Sequence, residues 1–149
     1  MSIVKRLVLL FLLVLPALAA GGLDLGVGRN PAQKGYSGVL GFYIEGRPLT
    51  ARGRLLFGER GGLMGGLDLL LHFWKLGRAE PYVAAGAATM IARLDPDDGM
   101  VMEVGSESYA AFTLGLALNF SIIRPYVEFS YNYGRRPYER FGLGMVWSW

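Results

Sequence analysis

Few side chains in this sequence can perform acid–base, nucleophilic or metal chemistry, and each has a competing structural role. The chain has one histidine, His72, and no cysteine, which excludes thiolate catalysis, disulfides and zinc–thiolate sites. A catalytic histidine needs a nucleophile and an orienting carboxylate within hydrogen-bond reach. His72 is followed by Phe73 and Trp74 and no His-x-Ser occurs, so it reads as a satisfied histidine near Asp68. The acidic run Asp95-Pro96-Asp97-Asp98-Gly99, with Glu103 and Glu107 after it, has oxygen ligands suited to a hard cation such as calcium. Its spacing is not that of an EF-hand, and Asp, Pro and Gly together are ordinary turn chemistry. Arg135-Arg136 with Tyr138, Glu139 and Arg140 reads as a solvated loop tip, with the phosphates of surface lipid or an acidic ligand as the alternative. Gly26-Val27-Gly28 and Gly61-Gly62 lack the strand-to-helix setting of a phosphate loop. No cofactor and no metal site are expected.

The remaining charges, Asp24, Glu45, Arg52, Arg54, Asp68 and Glu128, share one property with His72: each lies in a segment of period-two alternation. Successive side chains of a strand point to opposite faces. Ala110, Phe112, Leu114, Leu116, Leu118, Phe120 and Ile122 fall on one parity, opposed by Tyr109, Ala111, Thr113, Gly115, Ala117, Asn119 and Ser121. Leu40, Phe42 and Ile44 oppose Gly41, Tyr43 and Glu45; Leu67, Leu69, Leu71 and Phe73 oppose Gly66, Asp68, Leu70 and His72. Val127 and Phe129 oppose Tyr126 and Glu128 in the same way. The pattern predicts eight strands near 22–29, 36–45, 50–58, 63–75, 81–93, 107–121, 125–133 and 140–149. The Tyr82 to Arg93 stretch is too rich in alanine to orient. Short connections containing Arg and Pro alternate with more varied polar ones at Arg29 to Gly35, Gly58 to Gly62, Leu94 to Gly105 and Gly134 to Glu139. That is the pattern of an up-and-down meander.

Such a sheet closes with its apolar face inward around a ligand, as in a secreted lipocalin-like carrier, or outward to lipid, as in an outer-membrane barrel. The bulky parity is Leu, Phe, Val, Ile, Met and Trp. The other is Gly, Ala, Ser, Thr and Asn with a few ions, and the strands are nearly free of lysine. A soluble exterior carries dense charge, so the outward-apolar closure is favoured. Folding the third and fourth predicted strands about Arg60 sets Arg52 and Arg54 opposite positions 66–68. Asp24, Glu45, Arg52, Arg54, Asp68, His72 and Glu128 are therefore expected to form a paired network in the lumen, since a buried ion without a partner costs several kcal/mol. Aromatics at strand ends, Phe57, Phe73, Trp74, Tyr82, Phe120, Tyr133, Tyr138, Phe141, Trp147 and Trp149, would form interfacial girdles.

Of the 149 residues, 1–19 read as a secretory signal peptide: Lys5 and Arg6, the apolar run Leu7 to Leu15, then Ala17-Leu18-Ala19. Removing them leaves one barrel domain, 20–149, and lowers the net charge from +3 to +1, 13 basic residues against 12 acidic. That balance argues against a nucleic-acid partner.

The signal peptide, the four hairpins, the run Pro81-Tyr82-Val83-Ala84-Ala85-Gly86-Ala87 echoed by Pro125-Tyr126-Val127-Glu128-Phe129, and the aromatic last strand together resemble the small eight-stranded outer-membrane β-barrel proteins of the OmpA and OmpX type. The resemblance implies an eight-stranded antiparallel transmembrane barrel in the outer membrane of a diderm bacterium, monomeric, without enzymatic activity, serving a structural or surface-interaction role. It also implies that the termini face the periplasm and that possible surface ligands meet the four variable loops. Phe141, Leu143, Met145, Trp147 and Trp149 would then be the signal read by the outer-membrane assembly machinery. The family includes small barrels that modify lipid A, which is the enzymatic alternative. The short loops and the lack of a soluble peptidoglycan-binding domain depart from its larger members.

Overall fold

In a computed structural model, residues 21–149 are described except Gln33 and Arg47; the expected signal peptide lies outside them. Nine strands run in chain order: β1 (Gly21–Arg29), β2 (Ser37–Ile44), β3 (Leu49–Glu59), β4 (Gly62–His72), β5 (Ala79–Asp95), β6 (Gly99–Met102), β7 (Ser108–Leu118), β8 (Ile123–Gly134) and β9 (Tyr138–Ser148). Each pairs antiparallel with its neighbours, β1 with β9 and β4 with β5, so eight strands close a ring and β6 hangs on the free end of β5. Closure satisfies the backbone of every barrel strand without an open edge.

The bulky parity faces outward. Leu67 is 74% exposed and Leu114 61%, while Arg52 and Asp68 on the other parity are 1% and 4% exposed. The alanine-rich β5 takes the same sense, with Tyr82, Ala84, Ala88, Met90 and Ala92 inside.

Turn chemistry sets the register. The β3–β4 connection is the two residues Arg60 and Gly61, both with positive φ (53° and 77°), the geometry of a type I′ hairpin turn whose twist matches the strands. The turn sets Glu59 opposite Gly62, a register that carried back would put Arg52 opposite Leu69; the observed pairs, Arg52 with Asp68 and Arg54 with Gly66, lie one residue off it. A bulge between Phe57 and Glu59, with Gly58 at φ 81°, inserts a residue and reverses the parity of the strand end beyond it. Glu59, which strict alternation would turn outward with Phe57, is therefore buried inside.

Predicted boundaries move by one to three residues at most strand ends, and three of these shifts have a visible local cause. The expected loop Leu94 to Gly105 is largely a hairpin, β5 running on to Asp95 and β6 returning to Met102. β7 stops at Leu118, because Asn119 accepts a hydrogen bond from the Ser121 amide and Ser121 turns with φ 74°. β4 ends at His72: the Phe73 amide still bonds Pro81, but the next bridge, Leu76 to Ala79, is one residue out of that register, so the ladder breaks at Trp74 and Lys75.

Candidate functional site

Inward positions form three layers along the barrel axis. At the end carrying the β3–β4 and β8–β9 loops lies an apolar cluster of Val39, Leu56, Met64, Ala88, Met90, Tyr109 and Tyr138. At the end carrying the chain termini lies a second, with Tyr43, Leu70, Tyr82, Ala84, Ala117, Tyr126 and Val146. The charges occupy the middle.

There Arg52 places Nε and Nη2 at 3.0 and 2.8 Å from Asp68 Oδ2 and donates from Nη1 to Glu128 Oε2 at 2.8 Å. Arg54 bridges the same two acids, Nη2 to Asp68 Oδ2 at 2.7 Å and Nη1 to Glu128 Oε1 at 3.0 Å. Both guanidiniums thus span two carboxylates from opposite walls, one from β4 and one from β8. Arg140 extends the set from β9, with Nη1 at 3.5 Å from Glu128 Oε1 and Nε at 3.3 Å from Glu59 Oε2. Tyr82 donates to Glu128 at 3.1 Å, and Tyr126 donates to Asp24 at 2.8 Å. Arg52 also donates to the Tyr43 hydroxyl at 3.3 Å. The three guanidiniums are ion-paired with the three carboxylates of Glu59, Asp68 and Glu128, while Asp24 is held by Tyr126. This is the multiply paired state a buried charge requires.

Glycines make the room. A Cβ at Gly115 would strike the Tyr82 ring, one at Gly28 the Arg140 guanidinium, and one at Gly86 the Asp68 carboxylate. The inward glycines are therefore sockets for large side chains from neighbouring strands, which is how a narrow lumen holds three arginines and several tyrosines.

Of the seven expected network residues, Arg52, Arg54, Asp68 and Glu128 meet directly, and Asp24 is buried without an ion pair to them, accepting from Tyr126. Glu45 and His72 stand apart, which corrects that part of the expectation. Glu45 follows the last residue of β2 and pairs with Arg124, and Ser148 donates to it at 3.3 Å. His72 has the inward parity but lies four residues beyond Asp68, about 13 Å along an extended strand. Its Nε2 is 3.0 Å from Thr50 Oγ1, and its ring centroid is 5.9 Å from that of Tyr82. Both residues line a polar vestibule of about 740 Å³ at the terminal end, together with Lys75, Glu80 and Arg124.

Sequence reasoning misses Glu59, Arg140 and the tyrosines. Arg140 adjoins the tip Arg135-Arg136 in sequence, and its parity opposite Phe141 is the signal that separates it from them. Tyr82 and Tyr138, expected in the girdles, are buried in the lumen, because strand-end position does not decide which face a residue takes. Phe57, Phe73, Trp74, Phe120, Tyr133, Phe141 and Trp149 are exposed, and Trp147 is half-buried.

A second ion cluster stands at the loop end. Arg93 on β5 donates to Glu103 at 2.9 Å and Glu107 at 3.0 Å, Arg60 approaches Glu107 at 3.5 Å, and Tyr109 donates to Glu107 at 2.7 Å. Burial alone would raise the Glu107 carboxyl, but these hydrogen bonds and the two arginine charges hold it below the ordinary carboxylate range. In the acidic hairpin, Asp95 Oδ1 accepts the amides of Asp97 and Asp98 at 2.8 and 3.2 Å. Those bonds lower its pKa, and they are turn geometry. Among the described residues no group of three or more His, Cys, Asp or Glu is placed to hold a metal ion.

The fold is that of the small outer-membrane barrels. The N-terminal β-barrel domain of Pseudomonas aeruginosa OprF superposes with a TM-score of 0.69 at 17% identity, over 87% of this chain and 96% of that one. The Yersinia pestis outer membrane protein Ail, determined in a phospholipid bilayer nanodisc, gives 0.53 at 13% identity, over 87% and 98%. No family model matches the sequence, and no curated protein is similar to it at a significant level.

Proposed function

We propose that the mature chain is a monomeric, non-enzymatic barrel of the outer membrane of a diderm bacterium, with a structural or surface-interaction role, produced by removal of residues 1–19 as a signal peptide. One observation carries this reading. A closed ring turns leucine, valine and phenylalanine outward and gathers arginine, aspartate and glutamate within. An exterior of that kind is matched to hydrocarbon. Ring closure removes the unpaired edge that lipid could not satisfy.

The apolar–ionic–apolar filling of the lumen supports a plugged barrel in preference to a conducting one, since eight strands leave just enough interior for side chains. It also disfavours a carrier of an apolar ligand, which would need an apolar interior where Arg52, Arg54 and Arg140 stand. His72 faces Thr50 and Tyr82 inside the barrel end, away from lipid, which disfavours a lipid-modifying enzyme built on it. In this reading the termini and short turns face the periplasm. The assembly machinery reads β9 through Phe141, Leu143, Met145, Trp147 and Trp149, and any surface ligand meets the opposite loops.

Membrane fractionation followed by electrophoresis with and without heating tests the proposal. The protein should sediment with outer membranes, and the unheated sample should migrate as a compact barrel. Recovery in the soluble fraction without detergent would overturn it.

A further inference from the structure

We infer that the outer face formed by β7, β8, β9 and β1 binds a lipid with a phosphate headgroup, its acyl chain lying in a groove beneath Arg29. The inference rests on the membrane reading above and deepens it by naming a ligand class and the residues that select it.

The ladder sets two rungs side by side across these strands. Arg29 pairs with Phe141, Phe141 with Phe129, and Phe129 with Leu114. One rung farther from the loops, Val27, Leu143, Val127 and Leu116 pair in the same order. Between them lies an outward groove of about 570 Å³ whose upper corner is formed by Arg29 and Tyr36. The Phe129 and Phe141 rings, 5.0 Å apart, form one wall. Arg29 is the sole charge in these two outward rungs. A cation facing lipid costs about 2–4 kcal/mol at the bilayer centre and about 0–1 near the interface, so its position marks the headgroup level.

The guanidinium is already oriented, 5.9 Å from the centroid of the exposed Tyr36 ring. Among the described residues it makes no ion pair, and neither do Lys34, Arg135 or Arg136. These four cations collect on one side of the rim, because the pairing of β1 with β9 brings the β1–β2 and β8–β9 loops together. Glu139 stands on this side too, and it forms no ion pair. On the other side, Arg60 and Arg93 are neutralised by Glu103 and Glu107. That side also carries the exposed Asp95, Asp97 and Asp98 of the β5–β6 hairpin and is acidic in excess, whereas the β1–β2 and β8–β9 side sets four cations against Glu139 and leaves a positive excess directly above an apolar groove. A phosphate accepts the two parallel hydrogen bonds of a guanidinium, and its acyl chain fills the groove. A free anion would have no use for the groove, and an uncharged lipid none for the cations.

The test uses the full chain extracted in detergent and native mass spectrometry. The probes are phosphatidylglycerol, an uncharged glucosyl diacylglycerol with the same acyl chains, and inorganic phosphate in excess as competitor. The wild-type protein should retain phosphatidylglycerol over the uncharged lipid. Arg29→Ala should weaken that retention about fivefold, the factor for one cation at a membrane surface, with Arg29→Lys, which keeps the charge but not the paired donors, falling between the two. Arg135→Ala with Arg136→Ala should weaken it further, and inorganic phosphate should displace nothing. Heat-dependent migration confirms that each variant is folded, and Tyr36→Ala, in an exposed loop, supplies a second variant with a smaller loss. Equal retention of the two lipids, retention unchanged in Arg29→Ala, or displacement by inorganic phosphate would overturn the inference. A protein that does not fractionate with the outer membrane overturns the membrane reading instead, so the two failures are distinct.

Discussion

The protein contains two clusters of arginine and glutamate that use the same hydrogen bonds in opposite solvents. In the lumen, Arg52 and Arg54 each bridge Asp68 and Glu128 with no exposed surface to spare. At the rim, Arg93 joins Glu103 and Glu107 at nearly equal distances, 2.9 and 3.0 Å, but with all three side chains only half-buried and reached by water. Geometry alone does not rank them. Exposed pairs contribute about 0–1 kcal/mol, because water and salt screen them and ordering long side chains costs entropy. In the lumen, removing one partner strands the other without water. Each partner in the central layer therefore carries far more of the barrel's stability than its counterpart in the rim cluster, which braces a hairpin.

Asp68→Ala should bring out the contrast most strongly, lowering stability by about 3–5 kcal/mol because Arg52 and Arg54 are left buried with Glu128 as their one shared acid. Removing Arg52 in the same chain should recover part of that loss, and strictly additive losses in the cycle would refute the coupled layer. An arginine on the other face provides the mirror experiment. Leu116→Arg, turned to lipid, should cost about 2–4 kcal/mol, although its chemical type is the one the lumen accommodates. Next comes shape: Gly115→Ala, which pushes a methyl into the Tyr82 ring, should cost about 1–3 kcal/mol by overpacking.

The smallest effect belongs to the rim. Glu107→Gln should cost about 0.2–1 kcal/mol and less in high salt. Because the folded carboxyl titrates below its unfolded value, its contribution is fully present above the ordinary glutamate range. It is lost as the pH falls through the lowered folded pKa. Acid titration of the wild-type and Glu107→Gln proteins should therefore converge at low pH. A rim variant as damaging as Asp68→Ala would erase the distinction.

The legibility of the site in the sequence depends on local backbone rules. Arg52 can be set opposite Asp68, and Arg54 opposite Gly66, by folding the two strands about Arg60, because the Gly58 bulge and the Arg60-Gly61 turn together amount to that register. Glu128 emerges from parity alone. Glu59 does not, since a single bulge at Gly58 inverts the alternation and no periodic count detects one added residue. The tyrosines are ambiguous for a chemical reason: an amphipathic ring at a strand end suits the lipid interface and a packed lumen alike. What separates Tyr82 and Tyr138 from Tyr133 is which wall of the closed ring each meets, and that emerges only on closure. β5 shows the same limit, as alanines on both parities carry no preference until Asp68 and Tyr82 take their glycine sockets.

The absence of cysteine makes the orientation of the two strand faces measurable by single spin labels. With cysteines introduced one at a time from residue 112 to 117 in the bilayer-embedded protein, collision rates with oxygen, which concentrates in hydrocarbon, should alternate. They should be high at 112, 114 and 116 and low at 113, 115 and 117. Uniform rates, or the opposite alternation, would contradict an exterior of leucine and phenylalanine around an ionic interior.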